Sequence, residues 1–211
     1  MSKDWAEWHH AYDDPGSSLS QRLAIVQSRL RELLSGMPAG PIKVISMCAG
    51  QGRDLLGVLI DHPRGRDVSA LLVELDPGLA SAARAAAASD NLDTVQVVEA
   101  DASMTDAYAG WAPADLVLVC GVFGNISDAD IKLTIRSLPM LCRRGGSVIW
   151  TRHRRPPDLT PAIRSWFSDA GFLELGFEAP GNESSSSIGT CRLGVDPLRL
   201  RAGVRMFTFV K

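Results

Sequence analysis

The amino-acid sequence predicts an α/β fold built on a mostly parallel β-sheet. Short apolar runs alternate with segments of helical period between residues 42 and 171. Five consecutive apolar residues at 116–120 suit a strand that is buried on both faces of such a sheet. The chain has 211 residues, 45% of them apolar, which is close to the size of one α/β domain. We therefore expect residues 42–211 to form that domain and residues 1–41 to add a lid and a helix to it.

The N-terminal segment combines aromatic rings with a predicted helix. Residues 1–18 contain a dense group of aromatic and imidazole side chains, Trp5, Trp8, His9, His10 and Tyr12. Ser18 and Gln21 have the spacing of a capping box, and a stripe of apolar residues follows at helical spacing. The sequence therefore predicts a helix from residue 18 to about Gly36.

Five parallel strands are predicted from the apolar runs. Their expected ranges are 42–48, 70–74, 94–99, 115–120 and 147–151. Asp76 and Pro77 are typical of a helix start, because aspartate caps the free N–H groups and proline fits the first helical position. Ser127 with Asp130 has the spacing of another helix cap. The helices between the strands are thus predicted from their starts as well as from their period.

The alternation of strands and helices breaks after residue 171. Residues 172–178 and 204–210 both have the pattern of strands, whereas residues 179–203 are rich in Gly, Ser, Pro and Arg. A connection without a helix predicts an antiparallel pair. We therefore expect seven strands in total, with residues 204–210 as the last, and a mobile loop at 184–187.

Charge and cysteine content exclude several classes of protein. The formal net charge is −2, with acids and bases interspersed, which predicts neither a nucleic-acid nor a membrane partner. The four cysteines are widely spaced, which fits neither a disulfide framework nor a zinc site. No apolar run reaches the ~20 residues that span a bilayer. A cytoplasmic location is the resulting expectation.

A glycine-rich turn follows the first strand. Gly50 and Gly52 lie between that strand and the next helix, where backbone can approach a ligand and free N–H groups point at it. Such turns also connect strands and helices for purely geometric reasons. A dinucleotide fingerprint needs a third glycine at position 55, but Leu55 is there. The turn therefore favours a cofactor without a pyrophosphate.

Polar residues also follow the next strands, at the edge where an open parallel sheet binds ligands. Glu74 stands where a carboxylate can accept from ribose hydroxyls, and Asp101 where one can accept from the adenine amine. The loop at 120–125 contains two further glycines. Glu74 could instead be a solvated loop acid and Asp101 a turn residue. Their joint placement at successive strand ends favours a nucleoside site.

These motifs together resemble the class I S-adenosylmethionine-dependent methyltransferases, over residues 42–211. Residues 44–52 resemble the glycine-rich first motif of that family, 73–77 its ribose motif and 99–102 its adenine motif. Residues 115–125 and 141–149 resemble the motifs around the fourth and fifth strands. The resemblance implies a Rossmann-like doubly wound sheet of seven strands with an antiparallel C-terminal pair, S-adenosylmethionine as cofactor, S-adenosylhomocysteine as product, and no metal.

The resemblance also implies a set of cofactor-binding residues. They are Ser46, Cys48, Ala49, Gly50, Gln51, Gly52, Asp54, Glu74, Leu75, Asp101, Ala102, Cys120, Gly121 and Val122. Two of these depart from the family pattern, since Ser46 replaces the usual acid and Cys48 the first glycine. Asp54 is the candidate replacement for the acid, although it also suits the first turn of a helix.

The function implied is transfer of a methyl group to a small-molecule acceptor, through O- or N-methylation by in-line displacement. Two alternatives stay open. One is a catalytically silent methyltransferase-like binding module or partner subunit, which the departures at Ser46 and Cys48 would suit. The other is a NAD-dependent oxidoreductase, against which Leu55 and the antiparallel pair argue.

The acceptor side has two candidate segments. His153 lies at the expected end of the fifth strand among three arginines, which can keep its imidazole neutral as a base. His9, His10 and Tyr12 are the alternatives in the N-terminal segment. The arginines suggest an anionic acceptor, with a carboxylate or phosphate. The plainer interpretations are a helical cover packed by tryptophans and a solvated basic loop.

Overall fold

The computed structural model describes residues 12, 14, 16–180 and 186–210. Its centre is a seven-stranded sheet with the order β3-β2-β1-β4-β5-β7-β6. The strands are β1 (Ile42–Met47), β2 (Val68–Glu74), β3 (Val95–Glu99), β4 (Ala114–Val119), β5 (Cys142–His153), β6 (Phe172–Glu178) and β7 (Ser186–Leu193). Strands β1 to β5 pair in parallel, and β7 is antiparallel to both β5 and β6. The predicted doubly wound architecture is confirmed.

Helices cover both faces of the sheet. They are α1 (Ser18–Gly36), α2 (Arg53–Leu59), α3 (Pro77–Ser89), α4 (Asp128–Ser137) and α5 (Thr160–Asp169). One buried apolar cluster joins α1, α2 and α3 to one face, and a second joins α4 and α5 to the other. Among the described residues, no helix combines the length and apolar character required to cross a membrane.

The helix starts follow from local chemistry. Asp76 caps α3 and Ser127 caps α4, as predicted, each by accepting from a backbone N–H in the first turn. The cap of α1 is Ser17, whose hydroxyl accepts from the N–H of Ser20 at 3.0 Å, so the prediction of Ser18 was wrong by one residue. Ser17 has the extended backbone of an N-cap, with φ −69° and ψ 151°, and Ser18 is already helical.

The seventh strand lies elsewhere than predicted. It is β7, which falls inside the 179–203 connection and includes Ser186 and Ser187 of the expected mobile loop. The segment pairs with both β5 and β6, and glycine is required at position 189 because a Cβ there would lie 2.1 Å from Cε2 of Trp150. The indole of Trp150, which is fully buried, thus packs across β7 at its one position without a side chain. Packing on β5 decides the strand, against a weak intrinsic β preference.

Residues 203–210, here called the strap, do not join the sheet and instead contact the loops after β3 and β4. A strand was predicted at 204–210, but among the described residues this segment forms only isolated bridges, at Arg205 with Met104 and at Phe209 with Ile126. The connection from β3 to β4 contains a short 3-10 turn, Thr105–Tyr108, where the neighbouring parallel connections contain α-helices. Met206 and Phe207 of the strap are buried in the same cluster as α4. The strap therefore covers apolar surface that a crossover helix would otherwise cover.

Candidate functional site

A cleft of about 400 Å³ lies at the carboxyl ends of β1, β2, β3 and β4. Eleven of the predicted cofactor residues line it, namely Cys48, Ala49, Gly50, Gln51, Asp54, Glu74, Leu75, Asp101, Ala102, Cys120 and Gly121. The lining also includes side chains from α1 and from the strap. Its volume is in the range of about 300–1,000 Å³ that is usual for small-molecule sites.

The turn after β1 forms the floor of the cleft. Cys48, Gly50 and Gly52 all have left-handed backbone, with φ of 50°, 57° and 71°. Glycine adopts this conformation without strain, whereas the cysteine at the first position holds it at some cost. At Gly52 a Cβ would also lie 2.7 Å from Leu72 Cδ2. The N–H groups of Ala49 and Gly52 bond to backbone carbonyls, so internal hydrogen bonds hold this turn against the cleft.

Glu74 fastens that turn to the end of β2. Its buried carboxylate accepts three backbone hydrogen bonds, from Gly50 at 2.7 Å and from Leu75 and Asp76 at 2.9 Å each. Only 8% of the residue is exposed, although it lines the cleft. Ser46, where the family has its acid, is buried in β1. Glu74 therefore holds the glycine turn, and a carboxylate can accept more bonds than these three.

Asp101 is a turn residue that also faces the cleft. One of its oxygens accepts from the N–H of Ser103 at 2.9 Å, and the other lies 3.1 Å from Nη1 of Arg205 in the strap. Burial alone would raise the pKa of Asp101, but the Ser103 hydrogen bonds and the Arg205 cation outweigh it and lower the pKa. The side chain is thus a fixed carboxylate at the β3 end of the cleft.

Charged groups gather at the other end of the cleft, beside the start of α2. Arg22 of α1 is 9% exposed, lines the cleft and donates to the hydroxyl of Tyr12. The Arg22 and Arg53 guanidinium carbons lie 5.8 and 5.5 Å from the centroid of the Tyr12 ring. Burial raises the pKa of Asp54, although its hydrogen bond from Leu55 and the Arg22 charge oppose this. This end of the cleft offers cations and a carboxylate together.

Three predicted residues do not line the cleft. Ser46 is buried in β1, Gly52 shapes the turn, and Val122 is buried in the core cluster on the α4 side. The thiols of Cys48 and Cys120 do line it. Burial raises the pKa of both well above the usual range of a thiol. The two cysteines are therefore protonated and act as wall residues.

The basic segment at the end of β5 lies beside the loop that follows β4. His153 is not part of the cleft lining, and its ring lies near Gly124. Burial, together with the charges of Arg152 and Arg155, lowers the pKa of His153. Arg152 donates to the carbonyl oxygen of Phe123. The segment thus contacts the β4 loop at Phe123 and Gly124.

Of the alternative candidates, Tyr12 lines the cleft. His9 and His10 lie outside the described residues, as do Trp5 and Trp8. Within the described ranges, no three His, Cys, Asp or Glu side chains come together as a group that could hold a metal ion.

Sequence reasoning missed Arg22 and Phe209, both of which line the cleft. Arg22 could have been found, because it continues the buried stripe of Val26, Leu30 and Leu34 at four-residue spacing. A cation on the buried side of a helix requires a polar partner. Phe209 had no such signal, since the apolar residues around it are equally typical of a sheet strand.

Comparisons with known proteins show that this chain shares its fold with solved structures. No family model matches the sequence, and a search of curated proteins found no match. Among solved structures, the chain is similar to magnesium protoporphyrin IX methyltransferase from Synechocystis PCC 6803 with bound S-adenosylmethionine. That match has a TM-score of 0.68 and 15% identity, over 90% of this chain and 91% of that chain.

Two further structures show the spread of these neighbours. An O-methyltransferase family protein from Burkholderia thailandensis has a TM-score of 0.61 and 19% identity, over 89% of this chain and 68% of that one. Fibrillarin from Methanococcus jannaschii, a pre-rRNA processing protein, has a TM-score of 0.59 and 15% identity, over 75% and 69%. At such identities the likeness concerns the fold. The chain has the fold of the class I S-adenosylmethionine-dependent methyltransferases.

Proposed function

We propose that this protein transfers a methyl group from S-adenosylmethionine to a small-molecule acceptor. The observation that carries the proposal is the cleft itself, which has a carboxylate at its β2 and β3 ends and mixed charges beside α2. A nucleoside joined to an amino acid has a matching order of groups, namely base, ribose and zwitterion. The fold of the chain supports the same ligand.

The adenosine part fits the β2 and β3 ends. Three backbone N–H groups already orient the Glu74 carboxylate. Its oxygens can accept further hydrogen bonds, which suits the two hydroxyls of a ribose. Leu75, which is 61% exposed, offers an apolar surface next to it for the base. Asp101 can accept from the adenine amine while Arg205 and Ser103 hold its orientation.

The methionine part fits the cluster beside α2. Arg22 and Arg53 can bind its carboxylate, and Asp54 can accept from its ammonium group. Asp54 then does for the ligand what the missing acid at position 46 would do. Burial raises the pKa of Asp54, and a bound ammonium would restore its ionised form. The departures at Ser46 and Cys48 are thus compatible with cofactor binding.

The chemistry required of the protein is mainly alignment. When bound, the sulfonium supplies an activated methyl group, which the acceptor's lone pair attacks as the carbon–sulfur bond breaks and its electrons return to sulfur. Residues at both ends of the cleft are proposed to fix the donor, so that its methyl group faces the acceptor. Such positioning is worth about 7–11 kcal/mol in favourable cases.

The acceptor is proposed to bind over the β4 and β5 ends. His153 can accept the acceptor's proton, because its lowered pKa leaves it neutral near pH 7. Arg152, Arg154 and Arg155 suit an acceptor with a carboxylate or phosphate. The N-terminal segment, which includes Tyr12 at the cleft, is proposed to close the acceptor side as a lid.

Ligand-induced stabilisation tests the cofactor. S-adenosylmethionine and S-adenosylhomocysteine at about 100 times their Kd should add roughly 2.7 kcal/mol of stability, and NAD should add none. A rise of Tm with NAD alone would favour the oxidoreductase alternative. No rise with any of the three would refute the nucleoside site.

Turnover separates an enzyme from a silent binding module. The protein is incubated with S-adenosylmethionine and a panel of hydroxyl and amine acceptors with carboxylate or phosphate groups, and S-adenosylhomocysteine is measured by mass spectrometry. Product formation that depends on one acceptor supports the proposal. Tight cofactor binding without turnover on any acceptor would favour the binding module.

A further inference from the structure

The strap, residues 203–210, is fastened to two loops that border the cleft. On the β3 side, Val204 exchanges hydrogen bonds with Thr105 at 3.0 and 3.1 Å, and the N–H of Met206 donates to Ser103 at 2.8 Å. On the β4 side, the N–H of Val210 donates to the carbonyl oxygen of Asn125 at 2.9 Å. The strap thus connects the loop that contains Asp101 to the loop that contains Gly121.

Its side chains divide into anchors and an exposed ring. Met206 and Phe207 are buried against α4 at 0% and 1% exposure. Phe209 packs edge-on against Phe207, with ring centroids 5.4 Å apart, but it keeps 39% of its surface exposed and lines the cleft. An aromatic ring that is held by buried neighbours and turned to a cleft suits contact with a flat ligand.

The position of the ring along the cleft follows from what fastens the strap. Arg205 reaches Asp101 and Ser103 at 3.1 and 2.7 Å, four residues before Phe209. The methionine end, by contrast, is formed by α1 and the start of α2. Phe209 lies at the other end of the strap, where it bridges Ile126 after β4, and it lines the same cleft as Asp101, which is proposed to accept from the base.

We infer that Phe209 is a further binding residue of the cofactor site, whose ring packs against the adenine base. The strap holds that ring in place and holds the orientation of Asp101 through Arg205. The inference rests on the proposed function, because it assumes an adenosine-containing ligand. Stacking on an aromatic ring does not distinguish one base from another, because every base has a flat face. Phe209 therefore supplies affinity, while Asp101 selects for the adenine amine.

The test compares Phe209→Ala with Val210→Ala. Val210 is the next residue of the strap and is 60% exposed, and its own fastening is through backbone that alanine keeps. Affinities for S-adenosylhomocysteine, 5′-methylthioadenosine and adenosine are measured by calorimetry, together with Tm. Phe209→Ala should weaken the binding of all three ligands by a similar factor of about ten, as expected for loss of one base-stacking ring. Val210→Ala should leave them within twofold of the wild type, and Phe209→Tyr should restore binding.

A second variant marks the other end of the cleft. Asp54→Asn should weaken S-adenosylhomocysteine but not 5′-methylthioadenosine, which has no amino acid. If Phe209→Ala gives that same pattern, or leaves every affinity within twofold, the inference is overturned. If the wild type binds none of the three ligands, the proposed function fails and the inference fails with it. If the wild type binds the ligands and Phe209→Ala binds them with the same affinity, the inference fails but the proposed function stands.

Discussion

Replacement of Glu74 by glutamine probes the fold of the glycine turn and ligand binding at once. Glutamine can keep the hydrogen bonds from Leu75 and Asp76 on its one amide oxygen, but its NH2 group then faces the N–H of Gly50. The lost bond to a charged acceptor is worth about 1.5–3 kcal/mol. Because each kcal/mol moves Tm by about 2–4 °C at this chain length, we expect Tm to fall by roughly 3–12 °C.

The matched control for Glu74→Gln is Glu99→Gln. Glu99 pairs with Glu74 in the register of β2 and β3, but it is exposed, so its loss of charge should change Tm little. In calorimetry with S-adenosylhomocysteine, Glu74→Gln should also bind about tenfold more weakly, a loss of about 1.4 kcal/mol. Equal Tm values for the two variants would refute the reasoning that Glu74 holds the turn. Unchanged affinity would remove Glu74 from the ligand site.

Two further predictions concern charge. Since burial raises the pKa of Asp54, the folded state holds more protons than the unfolded state above pH 3.8, and ionisation at neutral pH costs stability. Asp54→Asn should therefore raise Tm at pH 7, and its Tm should not fall below that of the wild type anywhere between pH 5 and 8. The same variant should bind S-adenosylhomocysteine more weakly. A Tm below that of the wild type at pH 7 would contradict this reasoning. For His153, whose pKa lies below its usual 6.5, activity should fall only as pH drops below that value. His153→Gln should remove this acid limb and leave cofactor affinity unchanged, and an unaltered pH profile of kcat/KM would exclude the residue as base.

The strands of the parallel sheet could be predicted because their apolar runs are buried on both faces. β4 is the clearest case, since every residue from Leu116 to Val119 is fully buried. The turn after β1 and the acids at Glu74 and Asp101 could also be placed, because strand ends meet at one edge of a parallel sheet. Local pattern together with the resemblance to the methyltransferase motifs therefore predicted eleven of the residues that line the cleft.

What escaped prediction depends on contacts between distant segments. The serine-rich start of β7 has little intrinsic preference for a strand, and Gly189 is there because the indole of Trp150 needs the space. Residues 204–210 are rich in apolar side chains because Met206 and Phe207 pack in the cluster that contains α4, and a short apolar run is also typical of a sheet strand. Arg22 faces the cleft only because α1 packs beside α2. The conformation of these segments is set by tertiary packing, which local sequence patterns indicate only weakly.

The strap also bears on the order in which the cleft assembles. Its hydrogen bonds with the β3 loop join residues about a hundred positions apart, as between Thr105 and Val204, whereas β1, β2 and β3 are linked through short helical crossovers. Contacts of such long range close late in folding, because the loop entropy must be overcome first. The sheet and its glycine turn can thus form before the wall that contains Phe209. In hydrogen exchange, the amides of Met206 and Val210 should open at lower free energy than those of β4, and a ligand that contacts the strap should slow them most.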